Sequence, residues 1–125
     1  MATQHFEEMK VWQDARVLTK QINTLSKNKY FIRDYGLRDQ IQRATVSVMS
    51  NIAEGYERDN NKEFIKYLGY SKGSVGEVRS LLDIVLDQEY ITEKEFNFFK
   101  ESATNISTQI ANFIKYLRKR VNSTK

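Results

Sequence analysis

Glu54 and Glu57, three residues apart near the end of an amphipathic segment, are the best-spaced carboxylate pair in the chain, and paired carboxylates are what general acid–base catalysis uses. Solvated surface carboxylates share that spacing far more often than catalytic ones do. The only histidine, His5, precedes the first helical segment, so neither a hydrolase triad nor the Glu-x-x-His pairs of a di-iron bundle can be assembled. Cysteine is absent, which removes thiolate metal sites, disulfides and thiol nucleophiles and points to the cytosol. No phosphate-binding glycine loop of either common spacing follows a strand. The expectation is a protein that is not an enzyme, needs no metal or cofactor, and works by binding. Ser47, Asn51 and Glu54, at i, i+4 and i+7, leave two readings open: a buried polar network or ligand site, or a solvated strip.

The residues better suited to binding are the cations. The formal net charge is +4, and residues 91–125 hold seven basic and three acidic residues. Lys115, Arg118, Lys119, Arg120 and Lys125 have no acid among them. A second group, Lys27, Lys29 and Arg33, lies in the first long connection, with Arg38 just beyond. Either these cations complement a helix carbonyl end and keep the chain soluble, or they contact a phosphate backbone. Copy number decides how much a modest charge matters, because an oligomer multiplies it. Trp12, beside Phe6, could stack on a base or pack an N-terminal arm onto the fold.

Positioning these residues falls to four helical segments. Apolar residues recur at helical spacing in Val11, Ala15, Leu18, Ile22, Leu25; in Leu37, Ile41, Ala44, Val48, Ile52; in Phe64, Leu68, Ser71, Val75, Val78, Leu82, Val85; and in Phe99, Ala103, Ile106, Ile110, Phe113, Leu117. Asn60 with Glu63, and Thr92 with Glu95, have capping-box spacing, and Gly55 suits a left-handed helix end. Helices are therefore expected over about 10–26, 36–56, 61–90 and 93–121. Proline is absent and glycine occurs only five times, so strand punctuation is missing. Short links between long amphipathic helices predict one all-α domain spanning 1–125, an up-down antiparallel four-helix bundle. Phe-Ile-Lys-Tyr-Leu occurs at 64–68 and again at 113–117, but the flanks differ, so it is two similar amphipathic turns rather than a repeat. With 40% hydrophobic and 29% charged residues the composition is globular, and no signal peptide or membrane-spanning run is evident.

Two helices carry more than one special face. On the second, Val46, Met49, Ala53 and Tyr56 widen the apolar arc beyond what one bundle corner needs. On the third, Gly69, Gly73, Gly76 and Ser80 form a stripe nearly without side chains, opposite Phe64 and Leu82. Each interior glycine costs about 0.5–1 kcal/mol against alanine, so the stripe predicts a backbone approaching closely. These eight residues are candidates for an oligomer interface; the glycines otherwise line packing within the chain or mark a kink.

The run Arg43-Ala44-Thr45-Val46-Ser47-Val48-Met49-Ser50-Asn51-Ile52-Ala53-Glu54-Gly55-Tyr56 resembles the 23S ribosomal RNA intervening-sequence protein family of bacterial four-helix bundles. Phe6 with Val11-Trp12, Tyr35-Gly36-Leu37, Lys62-Glu63-Phe64-Ile65, Gly73-Ser74 followed by Glu77, and Ile114-Lys115-Tyr116-Leu117 extend the resemblance over about residues 6–117. Met49 departs from it, standing where many relatives have proline, and Gly76 stands where a helix former is expected. The resemblance implies a ring-shaped homo-oligomer, a pentamer, with no catalytic residues to transfer. Some relatives are encoded within insertions in ribosomal RNA genes; others are accessory partners of reverse transcriptases.

The function expected is that of a cytoplasmic homo-oligomer binding RNA or DNA, structured RNA foremost, through symmetry-repeated Lys115, Arg118, Lys119, Arg120, Lys27, Lys29, Arg33 and Arg38. A nucleic-acid enzyme such as a reverse transcriptase is a further expected partner, and no membrane is. The rival is an oligomeric scaffold that binds a protein and never touches nucleic acid.

Overall fold

The computed structural model describes residues 5–123, and within them the chain forms four α-helices and no strand. These are α1 (Lys10–Leu25), α2 (Tyr35–Glu57), α3 (Asn61–Asp87) and α4 (Glu93–Ser123), with single 3-10 turns at Phe6–Glu8 and Phe31–Arg33. Each helix packs on two neighbours, in the order α1, α2, α3, α4 and back to α1, leaving α1 and α3 diagonal. Cross-helix contacts fix the directions. Thr19 of α1 donates to the Thr45 carbonyl, Ser71 of α3 to the Val48 carbonyl, and Gln109 of α4 to Asp14 near the start of α1. Neighbours are therefore antiparallel throughout. One end of the bundle carries the 26–34 and 88–92 connections; the other carries the start of α1, the tight α2–α3 link and the end of α4.

The apolar stripes form the core: Leu18, Ile22, Ile41, Val48, Ile52, Leu68, Val75, Val78, Leu82, Ile106 and Ile110 are almost entirely excluded from water. Each such side chain stabilises the fold by about 1.5–3 kcal/mol relative to exposure. Ser71 lies at the same depth, satisfied by its 2.7 Å bond to the Val48 carbonyl, which explains a hydroxyl in an otherwise apolar register.

Both predicted caps form, the second as a complete reciprocal box. Asn60 accepts from the Glu63 amide at 3.0 Å, while Thr92 and Glu95 each accept the other's backbone N–H, at 3.1 and 2.9 Å. Two helix ends differ from expectation. Gly55 does not supply left-handed geometry; it is helical and buried, and Asp59 (φ 52°) makes the turn after α2. Gly55 is small for another reason: a Cβ there would lie 2.6 Å from Tyr67 Cβ and 3.0 Å from Phe64 Cδ1. α2 and α3 approach closely at this glycine. α3 also stops at Asp87, short of Tyr90, because Glu89 (φ 62°) takes the left-handed position, with Glu89 N bonded to Leu86 O and Tyr90 N to Val85 O. A glutamate there gives the sequence no helix-stop signal.

Candidate functional site

The 26–34 connection is a built structure rather than a loose loop. Phe31 is fully buried and stacks on Tyr90, with ring centroids 5.1 Å apart and planes 9° off parallel. Asn28 folds the turn, its Oδ1 accepting from the Tyr30 and Phe31 amides, and its Nδ2 reaches the Tyr90 carbonyl at 3.4 Å. Asp34 caps α2 through the Leu37 amide and accepts from the Tyr90 hydroxyl at 3.0 Å. That bond, followed by burial, holds the Tyr90 phenol above its ordinary pKa.

What this scaffold presents outward is basic and aromatic. Lys27, Lys29 and Arg33 are exposed and form no ion pair among the described residues. Arg38 differs: it bonds Asp39 and the Ile32 carbonyl and lies 4.9 Å from the Tyr35 ring centre. Tyr30 and Tyr35 are 65% and 66% exposed, the most exposed of the large hydrophobic residues, with Lys29 Nζ 5.7 Å from the Tyr30 ring centre. Sequence reasoning passed over both tyrosines as site residues. The signal that finds them is the interleaving of Lys29, Tyr30, Arg33, Tyr35 and Arg38 within one short segment.

The other cationic group stands at the opposite end. Phe64, near the start of α3, packs on Phe113 of α4, centroids 5.1 Å apart, so α4 continues past α3 by roughly 10 Å at 1.5 Å per residue. Leu117 is the last buried residue; Arg118, Lys119 and Arg120 follow it in the overhang, all exposed. Lys115 is exposed a turn earlier, and Arg120 donates to the Tyr116 hydroxyl at 3.2 Å. Lys125 lies outside the described residues. The fold thus brings each cationic group together internally and holds the two a bundle length apart, so no single small anion can use both.

The remaining candidates separate cleanly. Ser47 and Ser74 share a 2.8 Å hydrogen bond across α2 and α3, and Asn51 Nδ2 donates back to the Ser47 carbonyl and hydroxyl, so this group is a satisfied interhelical network. Glu54 lies outside it, 2.9 Å from Arg58. Hydrogen bonds from Arg58 first, then Tyr67, hold its carboxyl below the usual range, the reverse of what a general acid needs. Trp12 is buried edge-on to Phe6 at 5.2 Å and offers no face to a base.

Among the interface candidates, Met49, Ala53 and Tyr56 pack on the core of their own chain. The wide apolar arc of α2 serves α1 as well as α3; Val46, 46% exposed, is left over. Gly69, Gly73, Gly76 and Ser80 all face outward, and a Cβ at any of the three glycines would meet no other heavy atom within 4 Å. Packing within the chain does not account for them. Among the described residues no cluster of His, Asp or Glu could hold a metal, and no helix is long and apolar enough to cross a membrane.

Comparison with known proteins agrees with this architecture. The family model for the 23S rRNA-intervening sequence protein matches residues 7–112. A crystal structure from Bacteroides thetaiotaomicron, described as a protein of unknown function from the S23 ribosomal protein family, superposes with a TM-score of 0.78 at 22% identity. The match covers 84% of this chain and 95% of that one, and it shows a shared fold. No curated protein matches.

Proposed function

The chain belongs to the 23S rRNA-intervening sequence protein family, and on that premise we propose that it is a non-catalytic homo-oligomeric subunit that binds nucleic acid, structured RNA foremost, through exposed cations repeated by symmetry. The observation that carries this reading is the overhang of α4, which projects Arg118, Lys119 and Arg120 beyond the α3 helix start without an acidic residue among them. The helix dipole favours cations within the last turn, where only Arg120 of the three lies, so it does not account for Arg118 and Lys119. The family description, which names an rRNA intervening sequence, supports RNA over other polyanions.

The assembly in this reading is a pentameric ring. Its support is the outward stripe of Gly69, Gly73, Gly76 and Ser80, where small residues have no reason within one chain. A ring presents several basic overhangs at once, so weak phosphate contacts add through avidity. Light scattering tests this part: a mass near five times 14.7 kDa is expected, and a monomer at micromolar concentration refutes it.

Replacing Arg118, Lys119 and Arg120 by glutamine tests the binding. Helicity and oligomer mass should stay unchanged, while RNA affinity falls and the log–log salt slope flattens by about 0.7–0.9 for each phosphate no longer neutralised. Binding with an unaltered slope moves the site away from α4. The alternative is a scaffold that docks a protein, favoured by the open cleft between α1 and α4, where Val17 and Phe98 are both more than half exposed. Wild type failing to bind RNA or DNA at low salt selects it.

A further inference from the structure

The surface at residues 27–43 has features that phosphate attraction alone does not require. Tyr30 and Tyr35 are exposed on a backbone held by Phe31, Asn28 and Asp34, and neither hydroxyl makes a hydrogen bond among the described residues. The rings are mostly exposed, yet the connection that carries them is tethered to the fold through Phe31, Asn28 and Asp34. One cation approaches each ring, and both residues remain about two-thirds exposed. Beside them a groove runs between α1 and α2, its two segments sharing Asn23 and Gln42 and edged by Lys27, Arg38 and Arg43. Asn23 Oδ1 is buried at the floor of this groove without a hydrogen-bond partner among the described residues.

Charge gives the groove a direction. The neighbouring α3–α4 turn holds Asp87, Glu89, Glu93 and Glu95 against Lys94 alone, and repels a polyanion. The α1–α2 side has Asp39 as its one acid along the groove, and Arg38 pairs with it. A phosphate chain arriving at this end is steered off the α3–α4 turn and onto the groove.

We propose that this surface holds an unpaired stretch of nucleic acid, with bases stacked on Tyr30 and Tyr35 and the backbone led along the α1–α2 groove by Lys27 and Arg43. Exposed rings interleaved with cations suit single strands, whose base faces are available; in a duplex those faces are already stacked. The proposal rests on the nucleic-acid reading above and adds the form of the ligand and the surface that takes it.

The test uses the full chain with labelled single-stranded RNA, the DNA strand of the same sequence, and the RNA annealed to its complement. Tyr30→Ala and Tyr35→Ala should each weaken single-strand binding by roughly 5- to 150-fold with the salt slope unchanged, since stacking releases no counterions. Phenylalanine at either position should retain most of the affinity. Lys27→Gln with Arg43→Gln should instead flatten the slope. Circular dichroism checks that these exposed substitutions leave the fold intact. RNA binding tighter than the DNA strand assigns part of the affinity to the 2′-hydroxyl; equal binding assigns it to bases and phosphates, and both agree with the proposal. Alanine variants that bind like wild type, or duplex that binds as tightly as single strand, overturn it while leaving the nucleic-acid reading standing. A wild type that binds none of the three overturns both.

Discussion

Replacing Gly55 and Gly73 by alanine, one at a time, makes the same chemical change inside two helices and is expected to give opposite results. Either substitution gains about 0.5–1 kcal/mol of intrinsic helix stability. At Gly73 the new methyl meets nothing within 4 Å, so in a separated chain that gain stands alone. At Gly55 it would sit 2.6 Å from Tyr67 Cβ, an atom fixed to the α3 backbone, and 3.0 Å from Phe64 Cδ1. Relief requires α2 and α3 to move apart, and overpacking of this kind costs about 1–3 kcal/mol, leaving a net loss of about 0.5–2 kcal/mol. For a chain of 125 residues, 1 kcal/mol moves the melting temperature by roughly 3–5 °C. Gly73→Ala should therefore melt roughly 2–5 °C higher under dissociating dilution, and Gly55→Ala roughly 2–10 °C lower. Thermal unfolding followed by circular dichroism measures both, with light scattering at micromolar concentration reporting mass. A Gly55 variant that melts at or above wild type refutes the close approach of α2 and α3. The bulkier Gly73→Leu should break assembly before it breaks folding; if oligomer mass and melting temperature are kept, the stripe is no contact surface.

Two further outcomes follow from the same contacts. Phe31→Ala removes a fully buried ring stacked on Tyr90 and should cost about 3–5 kcal/mol in urea unfolding, with a loss below about 1 kcal/mol contradicting its role as the anchor of the connection. The Tyr90 phenol, raised by its bond to Asp34, keeps its proton in the folded chain at a pH where the unfolded chain has lost it. Its contribution is complete below the ordinary value of 10 and disappears as pH rises through the raised one; Tyr90→Phe should shrink that alkaline loss, and an unchanged stability profile refutes the coupling.

The four stripes were legible because each helix buries one face continuously, so hydrophobic spacing alone identifies Ile22, Ile52, Leu82 and Ile110 as core. Capping was legible at Asn60 and Thr92, where a glutamate follows three residues on, but not at Asp34, which caps α2 with Leu37 in that place. Helix ends made by backbone geometry were not, since Asp59 and Glu89 take left-handed positions that composition assigns to glycine. Gly55 shows the converse, a glycine whose neighbourhood on another helix gives it its meaning. For the candidate site, the cationic groups were visible as letters, but which arginines are already engaged was not: Arg38 is tied to Asp39 and the Ile32 carbonyl, whereas Arg33 is exposed without an ion pair among the described residues. Tyr30 and Tyr35 emerged only once Phe31 was seen to turn inward between them.

An even number of antiparallel helices brings the chain back to the end where it started, so the start of α1 and the end of α4 lie at the same end of the bundle. A fluorophore at the end of α4 stands roughly 45 Å along the bundle from the connection that carries Tyr30 and Tyr35, the length of the 31 residues of α4 at about 1.5 Å each. That separation makes the molecule its own ruler for energy transfer to a dye on a bound strand: a ligand held at the tyrosine end reads long, and one held on the α4 overhang reads short. The same proximity allows the two ends to be joined by a linker and new ones opened at 88–92, giving a circular permutant that moves the termini to the tyrosine end and leaves the helices in place.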